Sequence, residues 1–201
     1  MNLPNKLTVL RIILTPVFML TLLWPFPHHL IVALLIFVFA SVTDAVDGNY
    51  ARKHGLVTDF GKFLDPLADK MLTTAAFLGF IQLDIGTGVV WIAFIVLFRE
   101  FLISSLRLTA VSSGGAVIAA NKWGKAKTIS QMVAIITALV AEYFKYLDIE
   151  YFHFFGEFLG GGIIIALDVL VDVCLWISAV LTIVSGVIYL VENKKFVDTG
   201  K

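Results

Sequence analysis

"SVTDAVDGNYARKHGLVTDFGKFLDPLADK", residues 41–70, carries five aspartates, Asp44, Asp47, Asp59, Asp65 and Asp69, between runs apolar enough to enter a bilayer. The chain around it has 201 residues, of which 59% are hydrophobic. Its mean hydropathy is +0.94, and its apolar share is well above that of an ordinary soluble domain. Stretches of about 20 largely apolar residues recur, the length needed to cross a roughly 30 Å hydrocarbon core. The expected fold is therefore an all-α integral membrane protein, one domain over residues 1–201.

The apolar runs and their breakers predict six transmembrane helices, near 7–24, 30–52, 62–83, 88–112, 125–147 and 163–191. "WPFPHHL" separates the first two and "LDIGTG" the third and fourth. "SSGGAVIAANKWGK" and "DIEYFHFFGEFLGGG" divide the remaining pairs. The last run exceeds what a bilayer requires, so it tilts or projects into water. The first run lacks a small-residue cleavage pattern and is expected to be retained.

Charge is balanced, with 15 basic and 15 acidic residues, so its position carries the information. Lys6, Arg11, Arg52, Lys53, Lys62, Lys70, Arg107, Lys122, Lys125, Lys127, Lys194, Lys195 and Lys201 all fall near one set of helix ends. The opposite loops hold mainly Asp84, Lys145, Asp148, Glu150, Glu157 and histidines. The positive-inside rule then places both termini and the aspartate segment on the cytoplasmic side of the cell membrane. No nucleic-acid partner is expected. The single cysteine, Cys174, excludes a disulfide within the chain and is expected in the core or against lipid.

Asp44 and Asp47 are three apart at the end of the second helix, and Asp65 and Asp69 four apart at the start of the third. Each pair shares a helical face. The short connection 53–60 makes the two helices neighbours, so the pairs can converge. Pro66 splits the second pair, which a helix beginning near Lys62 would accept in its first turn. Asp59 lies off this spacing and reads as a solvated loop residue. A lone aspartate here would read as a solvated helix end. Four at these spacings, flanked by Gly48 and Gly61, read as functional, because acids at membrane depth are costly. Repulsion and desolvation would force some of them neutral unless divalent cations such as Mg²⁺, Mn²⁺ or Ca²⁺ intervene. Four carboxylates suffice for a two-metal site that stabilises charge on a phosphoryl group. Glycines admit a bulky phosphate ligand, and the planar cation of Arg52 suits a phosphate oxygen.

Taken together, Asp44-x-x-Asp47-Gly48-x-x-Ala51-Arg52, eight residues, then Gly61-x-x-x-Asp65-x-x-x-Asp69 resembles the signature of the CDP-alcohol phosphotransferase family at every defining position. The resemblance extends to the hydropathy pattern of nearly the whole chain. It implies an enzyme that moves the phosphoryl-bearing group of a CDP-linked lipid or alcohol to an acceptor hydroxyl and releases CMP. It further implies that Asp44, Asp47, Asp65 and Asp69 ligate two divalent cations, Mg²⁺ or Mn²⁺. Gly48, Ala51, Arg52 and Gly61 would seat the CDP-lipid. Asp69 would also be the general base, a role that the residues alone do not separate from that of ligand. The family's habit implies a homodimer.

The acceptor is read from cations elsewhere. Arg99 and Glu100 lie inside the fourth span and Arg107 two turns beyond, where charges usually line a cavity. Lys122, Lys125 and Lys127 open the fifth helix. Such a pocket suits an acceptor that itself bears a phosphate. The alternatives are lipid-headgroup anchoring for the lysines and simple neutralisation of Glu100 for Arg99. "MNLPNKLTVLRI", "FREFLISSLR" and "GKAKTISQ" resemble the bacterial family members that make phosphatidylglycerol phosphate, with CDP-diacylglycerol as donor and sn-glycerol 3-phosphate as acceptor. Asn49, at an unspecified motif position, stands where a more apolar residue is usual.

Two other readings remain open. A sister transferase would use serine, inositol or inositol phosphate as acceptor. A cation transporter would use the acids as its ion site, although such sites usually lie at the midplane on broken helices. The family resemblance, in which Asn5, Thr8 and Arg11 match recurrent N-terminal positions, also makes these three candidates for the cytoplasmic pocket. Asp168 and Asp172 share a face near the outer mouth, with a polar contact inside the bundle as the alternative. His28, His29, His54 and His153 show no ligand spacing. The aromatics of 142–158 read as an interfacial belt.

Overall fold

The computed structural model describes residues 2–54, 59–112, 122–152 and 161–193. These residues form six α-helices and no strand: α1 (Leu3–Leu23), α2 (His29–His54), α3 (Asp59–Gln82), α4 (Val89–Ser112), α5 (Lys122–Leu147) and α6 (Gly162–Glu192). A π-helical turn, Asp148–Phe152, extends α5. Pro4 fits the open first turn of α1, and Trp24 caps its end just before Pro25 and Pro27.

The expected helices are present, with one correction. Helix α3 starts at Asp59 rather than near Lys62. Asp59 is thus helical, and Pro66 lies two turns in, beyond the first turn that would accept it freely. A second proline, Pro16, also sits inside a helix, α1. Packing against neighbouring helices lets bundles of this kind tolerate an interior proline.

Two groups of three helices make the bundle. Helix α1 packs on α2 and α3, and α6 packs on α5 and α4. Contacts of α2 with α5, and of α3 with α4 and α5, join the groups. The core combines aromatics with small residues. Phe18 and Phe37 stand 5.7 Å apart between ring centroids, while Ala33, Ala40, Ala76, Ala134 and Ala138 are fully buried. Small residues let helix backbones approach closely where lipid supplies no hydrophobic drive.

Among the described residues, three helical stretches are long and apolar enough to cross a membrane: Asn5–Leu23, Val89–Thr109 and Gly162–Glu192. Only 28%, 28% and 22% of their most apolar windows are buried in the bundle, so their remaining surface suits lipid rather than water. Phe101 and Leu108, at 70% and 72% exposure, typify that face. In α2 the apolar stretch runs only from His29 to Asp44. Helix α3 carries its charges in the turns of the aspartate motif, whereas α5 has Lys122, Lys125 and Lys127 in its first turns and Glu142 and Lys145 in its last. Hydroxyls inside the helices are satisfied locally. Thr15, Ser41, Thr128 and Thr182, for example, donate to carbonyls one turn back.

The turn between α3 and α4 depends on Gly86, which sits at φ +90°, where an added Cβ would overlap the Leu175 side chain. Positive φ costs a non-glycine residue about 1–3 kcal/mol. Gly86→Ala is expected to lower the unfolding midpoint of the detergent-solubilised protein, measured by thermal melting.

Candidate active site

One helical stripe shows how the motif end differs from the rest. Along α1, the buried positions Asn5, Thr8, Arg11 and Thr15 are polar, whereas Phe18 and Leu22 one and two turns further are apolar. The polar half meets the end of α2: the guanidinium of Arg11, 2% exposed, pairs with Asp44 Oδ1. The sequence signal for this polar wall was the three- and four-residue spacing of Asn5, Thr8, Arg11 and Thr15 beside an apolar run.

Asp44 and Asp47 lie within α2, as do Gly48, Ala51 and Arg52. Asp65 and Asp69 lie within α3, as does Gly61. Helical geometry therefore places each acid pair on one face, and α2 and α3 touch. Of the four motif acids only Asp44 has a described side chain, 38% exposed. The side chains of Asp47, Arg52, Asp65 and Asp69 lie outside the described residues. Among the described residues no three of His, Cys, Asp and Glu stand together as metal ligands. The motif itself is all carboxylate oxygen on two touching helices, and that donor set fits hard divalent cations.

Next to the motif stands a charged cluster. Lys70, adjacent to Asp69 in the chain, bonds to Ser104 and places its Nζ 3.7 Å from Glu100 Oε2. Glu100 Oε1 pairs with Arg99 at 3.1 Å and also with Lys127. A single carboxylate thus gathers cations from α3, α4 and α5. Arg99 therefore does neutralise Glu100, and it does more: its Nη2 donates to Ser185 Oγ at 2.7 Å. Gly186 makes room for this, since a Cβ there would come within 3.2 Å of Arg99 Cγ.

Helix α6 supplies a polar stripe that sequence reading passed over. Ser178, Thr182, Ser185 and Tyr189 are all buried, and three of them serve neighbouring helices. Gln131 donates to Thr182 at 3.2 Å. Ser185 holds Arg99, and Arg107 Nε donates to the Tyr189 hydroxyl at 3.3 Å while its guanidinium lies 5.5 Å from that ring's centroid. The signal was a three- and four-residue spacing of hydroxyl residues within the most apolar helix. Lys122 and Lys125 differ from Lys127: both are exposed in the first turn of α5.

A polar cavity of about 560 Å³ opens at the other end of the bundle, among Asp84, Thr87, Glu142, Lys145, Asp168 and Asp172. Three of its acids have protein partners. Lys145 bridges Glu142 and Asp168, the latter at 2.6 Å, and Asp172 accepts the Thr87 N–H at 2.7 Å. Both Asp168 and Asp172 thus sit near the mouth and also hold α6 to its neighbours. His28 is tied similarly, its Nδ1 3.2 Å from the Tyr143 hydroxyl. This end is built as a clasp, remote from the motif.

The described residues are all-helical, with membrane-length apolar helices and a polar, ion-paired cluster at one end. Its first 184 residues match the model of the CDP-alcohol phosphatidyltransferase family, and the chain belongs to that family of transferases. It is similar to the CDP-diacylglycerol–glycerol-3-phosphate 3-phosphatidyltransferase of Bacillus subtilis, with 38% identity over 99% of this chain and 98% of the relative. The enzyme of the same name from Rickettsia bellii is 36% identical over 97% of each. A probable phosphatidylglycerophosphate synthase of Mycobacterium tuberculosis is 43% identical over 67% of this chain and 64% of the relative.

Arg11 generates a prediction independent of catalysis. Removing one partner of a buried ion pair strands the other; with Asp44 partly solvated the cost falls to about 1–3 kcal/mol. Arg11→Met is expected to lower the unfolding midpoint, checked by melting beside the unaltered protein.

Proposed function

We propose that the chain transfers the phosphatidyl group of CDP-diacylglycerol to sn-glycerol 3-phosphate, yielding phosphatidylglycerol phosphate and CMP. The observation that carries this reading is the contact of Lys70, the chain neighbour of Asp69, with a cation cluster built on Glu100. It sets positive charge for an acceptor's phosphate beside the acids that would handle the pyrophosphate. Similarity over nearly the full length to enzymes named for these two substrates supports the choice of donor and acceptor.

In the proposed reaction the 1-hydroxyl oxygen of glycerol 3-phosphate attacks the lipid-side phosphorus. The bond from that phosphorus to the oxygen shared with CMP breaks, and CMP departs with the electron pair. Asp69 accepts the hydroxyl proton. Asp44, Asp47, Asp65 and Asp69 would hold two Mg²⁺ or Mn²⁺ ions, which when bound would neutralise charge on the pyrophosphate. Gly48, Ala51, Arg52 and Gly61 seat the nucleotide. Arg99, Arg107 and Lys127 receive the acceptor's phosphate, with the Arg107 guanidinium oriented by Tyr189. Lys122 and Lys125, exposed, face anionic headgroups.

All six helices are proposed to span the bilayer, with both termini and the acid end in the cytoplasm. Of the 15 basic residues only Lys145 belongs to the opposite end, which supports that orientation. A water-soluble acceptor then meets a donor whose acyl chains stay in lipid.

The test is CMP release by purified protein given CDP-diacylglycerol and Mg²⁺ or Mn²⁺. Glycerol 3-phosphate, serine, inositol and inositol phosphate are offered separately. Release with glycerol 3-phosphate alone, stopped by a chelator, is expected; release with another acceptor instead would overturn the assignment. Asp69→Asn is expected to cut kcat by about 10²–10⁴, and near-normal turnover would remove Asp69 as the base. Arg107→Ala is expected to raise the acceptor's KM about tenfold, the scale of one charge-assisted hydrogen bond, with the donor's KM little changed in the same assay.

A further inference from the structure

The charged cluster contains one carboxylate for which the proposed reaction has no step. Glu100 lies inside the membrane-length stretch Val89–Thr109 with its side chain 15% exposed. It is surrounded by Lys127, Arg99 at 3.1 Å and Lys70 at 3.7 Å. We infer that Glu100 is a positioning residue for the acceptor's phosphate, holding three cations from three helices as a preassembled pocket. This inference rests on the glycerol 3-phosphate reading above.

The physical argument starts from repulsion. Three cations this close in a low-dielectric bundle repel one another. Without a counter-ion they turn apart and towards water. The Glu100 carboxylate removes that tendency and ties Arg99 and Lys127 to one oxygen. It cannot saturate Arg99, whose guanidinium has five donors, or Lys70, whose ammonium has three. Donors of these two therefore remain for phosphate oxygens while the cations' positions are fixed. Ser185 fixes the far side of Arg99 at 2.7 Å, so the guanidinium is held at both terminal nitrogens. Lys70 carries the arrangement to α3, one residue from Asp69. The pocket and the proposed base are thereby held in mutual register.

The test uses the full chain in detergent with Glu100→Gln and Glu100→Asp. Three quantities are measured: KM for glycerol 3-phosphate, KM for CDP-diacylglycerol, and Ki for inorganic phosphate competing with the acceptor. For Glu100→Gln the acceptor's KM and the phosphate Ki are expected to rise together by about tenfold, with the donor's KM within about twofold. Glu100→Asp keeps the charge and is expected to recover part of the loss. Should Glu100→Gln not fold, Glu100→Asp decides alone through the same split between acceptor and donor. Unchanged acceptor values would overturn the inference, as would an equal rise for both substrates. Tighter phosphate binding in Glu100→Gln would also overturn it, making the carboxylate a competitor. If the unaltered protein takes a different acceptor, the functional reading fails by itself, and the same split measured on that acceptor decides the role of Glu100.

Discussion

A charge buried among apolar helices needs its partners within reach, because hydrocarbon offers no water to replace them. Glu100 meets that constraint by drawing Lys70, Arg99 and Lys127 to itself, and the motif end of the bundle is arranged around the result. Helices α3, α4 and α5 converge there through side chains rather than apolar packing alone. Helix α6 joins through Ser185 and Tyr189, which steady the two arginines of α4. Separately, Arg11 ties α1 to Asp44 on α2. Polar contacts around Glu100 and the α4 arginines thus join four helices, α3 to α6, and the Arg11–Asp44 pair joins the other two.

Much of this was legible in the sequence, for identifiable reasons. Helix positions could be read because apolar runs ended at strong breakers such as Pro25, Pro27 and the glycines of 86 and 88. The acid motif could be read because its spacing is local: three and four residues fall on one helical face whatever the tertiary structure. The start of α3 could not, since Pro66 suggested a first turn and the helix runs two turns further back to Asp59. Partners distant in the chain were also hidden. Glu100 and Lys127 are 27 residues apart, and Arg99 and Ser185 are 86 apart. No periodicity within one helix reports which side chain of another it will meet. Arg99 and Lys127 were therefore visible as cations, while the carboxylate that organises them looked like one neighbour of Arg99. The same limit applied to Lys122, Lys125 and Lys127: only packing separates the buried last one from its exposed companions.

The two ends of the bundle use polar groups differently. Away from the motif, Lys145 lies between Glu142 and Asp168, Asp172 caps the Thr87 N–H, and the Trp176 indole donates to the Thr87 carbonyl at 3.1 Å. These contacts pair each group with protein and hold α6 to α5 and to the turn before α4. At the motif end, among the described residues, three cations from three helices share one carboxylate, the arrangement that the proposed acceptor site would use.

Helix α6 shows how both demands fit on the most apolar element of the chain. Its 31 residues span about 46 Å at the usual rise, more than the hydrocarbon core requires. The exposed faces carry Val173, Ile177, Val180 and Val187 towards lipid, while Ser178, Thr182, Ser185 and Tyr189 are buried. Hydroxyls are the polar groups such a helix can carry cheaply, because each can bond to its own carbonyls when no partner is near. Ser178 and Thr182 do so, at 2.7 Å each, and Thr182 also accepts from Gln131. The helix can therefore insert as an apolar segment with its hydroxyls satisfied, and offer those hydroxyls to Arg99, Arg107 and Gln131 once the neighbouring helices arrive. A carboxylate in the same positions would need its cation from the outset, as Glu100 has in Arg99, its neighbour on α4.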